Sequence, residues 1–345
     1  MTQTRPLSVG TTLLVTTLSI SLIFTSICRA DSKPLPPAYD QAAVSKLGER
    51  LGSGYGTHVT EHFALVHDGD LQWAQHTGRL LESAYAEFFR AFSEAGFKLD
   101  PVGQRMIWVC FPDREEFNDY ALDADRLDMS WSQGYYSART NLVAVIRTDD
   151  TYGSPAPKPR PEPTTTSQVA NVHPTDSDRP VYYSMDAARA THEAAHQLAF
   201  NTGLKKRGVV YPLWASEGLA TNFEADAFGR ITPGGANSFR LRTLTGAFEH
   251  DRLVPIEEFI TLSRINPGED RSISDIYAQC WGFFAFLMEH HQPQLVKYLQ
   301  RLAVMDKGYR NEWSMRREFV ACFGPVSQIE QKWQEHLRRV IDGEE

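Results

Sequence analysis

Hydrophobic positions along the chain change their spacing twice. Residues 60–67 carry a compact apolar run that predicts a strand, and residues 71–97 repeat apolar positions at helical spacing, with Leu81, Tyr85, Phe88 and Phe92 on one face. Residues 105–111 predict a second strand, and residues 113–121 a short helix with acids in its first turn. Residues 135–147 predict a hairpin that turns near Ala138-Arg139-Thr140-Asn141 and returns through Leu142-Val143-Ala144-Val145-Ile146. Beyond residue 184 the pattern is helical throughout: residues 185–201, 213–228, a stretch after Asn237, then 256–262, 274–291, 294–304, 311–322 and 326–341. No internal repeat interrupts this order. Strands first and helices afterwards predict an α+β fold, with a mixed-sheet lobe over residues 60–148 and a mainly helical lobe over residues 181–345.

Two segments fall outside that alternation. Residues 9–27 are apolar apart from Gly, Thr and Ser, follow Arg5, and lead to the small residues of Cys28-Arg29-Ala30, so residues 1–30 read as an export signal cleaved before Asp31. An uncleaved N-terminal anchor is the alternative, since the apolar run approaches the length of a membrane span. No later stretch is apolar enough to cross a membrane, and the reading is a periplasmic or secreted protein. Residues 31–59 are polar. Residues 149–180 hold seven of the nineteen prolines among many Thr and Ser, a composition of exposed loop.

Charge and cysteine content narrow the function classes. The 345 residues carry a net charge of −8, and the first thirty contain two arginines and no acid, so the mature chain is more acidic still. That surface offers no footprint for nucleic acid. Without Cys28, three cysteines remain. Cys110 reads as a small buried hydrophobe, and Cys280 and Cys322 lie on two helical segments that could bring them together. No Cys-x-x-Cys occurs, which removes thiolate zinc and thioredoxin-type chemistry.

Positive chemistry is concentrated in His192-Glu193-Ala194-Ala195-His196. On a helix the two histidines fall at i and i+4, with Cβ atoms about 5–6 Å apart, so both imidazoles can converge on one metal ion. Glu193 lies about 100° round the helix and can reach a water held by that ion. Alanines at 187, 188, 190, 194 and 195 favour helix, Ser184 suits its start, and Gly203 its end. An HExxH string arises by chance on the order of once in fifty chains of this histidine content, so a further ligand must decide. A catalytic zinc site needs three protein ligands and an open fourth position. The metzincin third histidine would stand at 202, where this chain has Thr202, and its glycine at 199, where this chain has Ala199.

Twenty residues separate His196 from Glu217 in Tyr211-Pro212-Leu213-Trp214-Ala215-Ser216-Glu217-Gly218-Leu219-Ala220. Here the chain resembles the gluzincins, the HExxH-plus-Glu zinc peptidases of the MA clan. Pro-x-Trp-x-x-Glu-Gly-Leu-Ala is most similar to their peptidase-MA-like relatives among exported bacterial proteins. The resemblance implies a thermolysin-like, two-lobe zincin architecture, a Zn²⁺ cofactor and a peptide or protein substrate. Carried over, it makes His192, His196 and Glu217 the zinc ligands and Glu193 the general base that takes a proton from the attacking water. Glu224 and Asp226, predicted about two turns further along the same helix, are alternative ligands or supporting acids.

Oxyanion stabilisation requires a donor, and the resemblance points to Tyr277, in Asp275-Ile276-Tyr277-Ala278-Gln279-Cys280-Trp281. A core tyrosine on an amphipathic helix is the other reading of that position. The Lys-Gly that follows this tyrosine in aminopeptidase relatives is absent; no Gly-Ala-Met-Glu-Asn stretch occurs either, and its absence favours endopeptidase-like or specialised hydrolysis. Substrates of the clan bind as an added strand on the sheet edge, and residues 142–146 are the predicted edge. The competing function is a non-catalytic zinc-containing binding or scaffolding protein; an intact Glu193 beside the ligands argues against it.

Overall fold

The computed structural model describes residues 38, 40–147, 184–226, 229–235, 237–265 and 271–343. The predicted export signal at 1–30 and the proline-rich loop at 149–180 lie outside the described residues. The first lobe runs α1 (Gln41–Leu51), β1 (Gly56–Val59), β2 (Phe63–His67), α2 (Leu71–Glu94), β3 (Met106–Phe111), α3 (Arg114–Tyr120), β4 (Gly134–Ser137) and β5 (Leu142–Ile146). The second is helical: α4 (Ser184–Asn201), α5 (Leu213–Thr221), α6 (Ser238–Glu249), α7 (Ile256–Phe259), α8 (Ile273–His290), α9 (Gln292–Ala303), α10 (Glu312–Phe323) and α11 (Val326–Asp342). This is the two-lobe α+β architecture that the pattern predicts, in the zincin-like arrangement that the resemblance implies.

Strand order is β1-β2-β3-β5-β4, with β2, β3 and β5 parallel and β1 and β4 antiparallel to their neighbours. Period-two alternation sorts the central side chains. Phe63, Leu65, Trp108, Cys110, Val143 and Val145 face one core with α2 and α4, whereas Ala64, Val66, Val109, Phe111, Ala144 and Ile146 face another with α1 and α3. Burial on both faces explains why these strands read as unbroken apolar runs. The first of these cores continues without a break into the helical lobe through Trp214, Phe283, Phe319 and Trp333.

Two elements precede β2 that the apolar pattern does not announce. Helix α1 buries only Val44 and Leu47, and β1 alternates half-buried and exposed residues. The predicted edge strand is also corrected. Leu142–Ile146 pairs with β3 on one side and β4 on the other, so the edge on that side of the sheet is Gly134–Ser137. The hairpin turn closes with Asn141 at φ 61°, and because the returning arm takes the parallel slot beside β3, the first arm is displaced outward.

Cysteines 110, 280 and 322 are all free thiols, the first two buried. Cys280 and Cys322 therefore do not pair. Among the described residues no helix is long and apolar enough to cross a membrane.

Candidate metal centre

Helix α4 is fixed against the sheet by polar side chains on its buried face. Gln197 accepts from Trp108 Nε1 at 2.8 Å and donates to the Asn141 carbonyl at 2.9 Å, which ties the turn containing His196 to β3 and to the start of β5. Thr191 Oγ1 donates to the Ala187 carbonyl and accepts from the Ala225 N–H at 2.9 Å, so the residue before His192 also holds the segment after α5. Gly203 follows the helix at φ +74°, a left-handed position that stops the helix cleanly.

Helix α5 is placed by packing. Pro212 opens it and Trp214 is fully buried among Phe283, Tyr298, Phe319 and Phe323. Gly218 lies so close to α8 that an added Cβ would stand 2.6 Å from the Cys280 carbonyl oxygen and 2.8 Å from Phe284 Cβ. This accounts for the glycine directly after Glu217: only a residue without a side chain lets α5 and α8 approach until Glu217 and Tyr277 face each other. The helix ends at Thr221, shorter than its apolar pattern suggests, because Asn222 Nδ2 donates to the Gly218 and Trp281 carbonyls and draws the chain away. Glu224 and Asp226 accordingly lie beyond the helix rather than on it.

At the centre, His192 Nε2 and His196 Nε2 each stand 3.3 Å from the same Glu217 oxygen, Oε2. The three ligand atoms all lie within 4.8 Å of one another, and the imidazole rings are 4.9 Å apart at 79°. Donors around a tetrahedral ion with bonds of about 2.0–2.1 Å are separated by roughly 3.3 Å, so the donor set and its spacing fit zinc. Glu193 is buried at 8% exposure on the same helix. Tyr277 lies parallel to His192, with ring centroids 6.3 Å apart, and its hydroxyl faces Glu217.

Glu224 resolves into a supporting acid. Its Oε1 is 3.2 Å from His192 Nδ1, the ring nitrogen turned away from Glu217. It is held in turn by Asn237 Nδ2 at 3.0 Å and by Arg240 through Nε at 2.9 Å and Nη2 at 2.5 Å. A carboxylate on the outer nitrogen fixes the ring orientation and leaves Nε2 for the metal. Asp226 instead pairs with Arg230 at 2.7 Å.

The electrostatics suit a cation. Burial alone would raise the Glu217 carboxyl, but His196 and His192 hold it well below the usual carboxylate range. Burial would lower His192, yet its bonds to Glu217 and Glu224 push it up to about 10. Two carboxylates thus favour positive charge at His192. The Glu217 charge, with burial, drives the Tyr277 hydroxyl well above the usual phenol range.

The structure brings His192, His196 and Glu217 together, puts Glu193 and Tyr277 beside them, and moves Glu224 behind His192. Sequence reasoning missed Arg240 and Asn237. Asn237 is legible as the N-cap of α6, where its side chain accepts from the Arg240 N–H; nothing local shows that either side chain turns to Glu224.

A family model described as "Protein of unknown function (DUF1570)" matches residues 186–306. The match runs from the start of α4 past the end of α9 and so contains every side chain of the centre. No curated protein matches the chain.

Proposed function

We propose that the chain is an exported zinc-dependent metallopeptidase with His192, His196 and Glu217 as ligands. The observation that carries the reading is the convergence of both Nε2 atoms on one Glu217 oxygen at tetrahedral spacing, with a buried carboxylate one residue from the first histidine. Zinc held there supplies a Lewis acid for the scissile carbonyl and an acidified water.

The chain's own residues supply the rest. Glu193 accepts the proton of the attacking water and returns it to the leaving amine. Tyr277, kept protonated by its acidic neighbour and by burial, donates to the developing oxyanion. Glu224 sets the His192 ring through Nδ1, and Arg240 holds Glu224 by two bonds in the fork that guanidinium and carboxylate favour. Among the described residues β4 pairs with another strand on one side only, and an extended peptide can align along its other side.

Metal analysis and cleavage of a peptide library by the wild type and Glu193→Gln test the proposal. We expect one zinc per chain in both, its loss in His196→Ala, and cleavage reduced by at least a hundredfold in Glu193→Gln. Equal cleavage by the two proteins would refute the base. Bound zinc without cleavage by either would favour the binding or scaffolding protein.

A further inference from the structure

A cavity of about 680 Å³ opens beside His192, between α4, the segment after α5 and the first turn of α6. Its charge runs against that of the chain. Four arginines line it, Arg189, Arg230, Arg240 and Arg242, with only two acids, Glu224 and Asp226, although the whole chain has 35 Lys and Arg against 43 Asp and Glu. Both acids are already engaged, Glu224 by His192, Asn237 and Arg240, and Asp226 by Arg230. What remains unsatisfied is positive.

Two donors stand out. Arg240 spends Nε and Nη2 on Glu224 and lies over the Phe239 and Tyr277 rings, which leaves Nη1 without a hydrogen-bond partner among the described residues. Arg242, two residues further along α6, lines the same cavity, is exposed and makes no hydrogen bond or ion pair with any described residue. Arg189 is less available, since it pairs with Asp186 at 2.7 Å and also contacts Gln133 beside the edge strand. Helix α6 adds to the field: it starts at Ser238, has no acid in its first turn, and points its positive end at the same space. Phe239, 46% exposed, and Trp281 give the cavity apolar wall against which the stem of a side chain can lie.

We propose that this cavity is a substrate subsite for a peptide carboxylate, either the side chain of an acidic residue near the scissile bond or the peptide's own C-terminus, received by Arg242 and by Nη1 of Arg240. The proposal rests on the peptidase reading for the identity of the ligand and deepens it by naming the substrate class. A carboxylate leaving water for a partly enclosed site needs charged donors in fixed positions, and guanidinium groups present two N–H bonds in the plane a carboxylate requires. Because the site sits directly behind a metal ligand, an acidic group bound there positions its peptide relative to Glu193. An arginine pocket of this kind also selects against a basic residue at the same position, through like-charge repulsion.

The test measures binding separately from turnover. Zinc-loaded Glu193→Gln is titrated by fluorescence anisotropy with labelled, otherwise uncharged peptides in which one Glu is walked through successive positions. Each peptide is matched by its Gln counterpart, and each is made with a free or an amidated C-terminus. We expect at least a tenfold preference for Glu over Gln at one position, or for acid over amide at the terminus, and the two arms tell the sources apart. The preference should fall to below threefold in Arg242→Ala, reverse in Arg242→Glu, and shrink with added salt; Arg242 is exposed, so an unchanged thermal melt will confirm that both variants fold. Matched peptides that bind alike at every position, no binding by any peptide, or a preference untouched by Arg242→Glu would each overturn the subsite. Wild-type protein that cleaves none of these peptides while the carboxylate preference persists would remove the peptidase reading and leave the subsite standing.

Discussion

Both ligand-bearing helices pack into one apolar core, but the helix that carries His192 and His196 is also aimed by polar bonds, whereas the helix that carries Glu217 is set by close packing around a missing side chain. On the first wall, Gln197, Thr191 and Glu224 fix the direction in which the imidazoles point. On the second, Trp214 and Gly218 fix how near α5 lies to α8, and hence where the Glu217 carboxylate stands. Direction and distance are separate requirements of a metal site. Hydrogen bonds meet the first because they are directional, and steric contact meets the second because interiors are close-packed. Damage to the two walls should therefore look different.

The largest effect is expected from Gly218→Ala. The new methyl group would meet the backbone of Cys280, which cannot swing aside like a side chain end. Overpacking of this kind costs about 1–3 kcal/mol, and Glu217, one residue away, would be carried off its position. We predict a lower melting temperature together with zinc content well below one per chain, read by calorimetry and elemental analysis of the same sample. Full zinc occupancy in a destabilised Gly218→Ala protein would show that packing does not set the ligand distance.

Glu224→Gln probes the other wall. The amide keeps the shape but offers one acceptor oxygen where Arg240 and Asn237 use two, and it lacks the charge that favours a properly oriented His192. We predict zinc affinity weaker by about 10- to 100-fold, the usual cost of losing a supporting acid, with a lower melting temperature of the metal-free protein, because Arg240 loses its counter-charge. Competition with a chromophoric chelator measures the first and a thermal scan the second. A variant that melts early but binds zinc normally would make Glu224 a structural residue only.

The same contrast explains what was legible in the sequence. His192 and His196 are a local signal, since helical spacing alone places both imidazoles on one face, and Glu217 was legible because Pro212, Trp214 and Gly218 around it each have a steric task. The central strands were legible from their apolar runs. Helix α1 was not, because two buried residues in eleven leave too faint a stripe. The end of α5 at Thr221 was hidden because Asn222 stops it through bonds to Gly218 and to Trp281, a residue 59 positions away. The edge strand was misplaced for a related reason: order within a sheet is decided by which partner β3 accepts, and no hairpin sequence states that. Arg240 reaches Glu224 only through the placement of α6, so its role became visible only in three dimensions.

Lys205 is a charged tie on the packed wall and gives the smallest, most specific test. Its Nζ donates to Ser216 Oγ at 2.7 Å and lies 4.6 Å and 4.9 Å from the ring centroids of Phe200 and Tyr211. Burial pulls its pKa down to about 8, against a weaker opposing pull from Glu217. A lysine in the unfolded chain titrates near about 10.4. Below pH 8 both states hold the proton, and the cost of burying the ion is fully present. Between about 8 and 10.4 the unfolded chain keeps a proton that the fold has released, so this residue's contribution to stability rises with pH, by at most about 1.4 kcal/mol per unit. Lys205→Met removes the titration while keeping the volume. In urea unfolding of metal-free protein, the stability of the wild type relative to the variant should climb by about 1–2 kcal/mol from pH 7.5 to 9.5. A flat difference would mean that Ser216 and the two rings hold Lys205 as a fully charged ion, and the wall carrying Glu217 would then depend on directed polar bonds as much as the wall carrying the histidines.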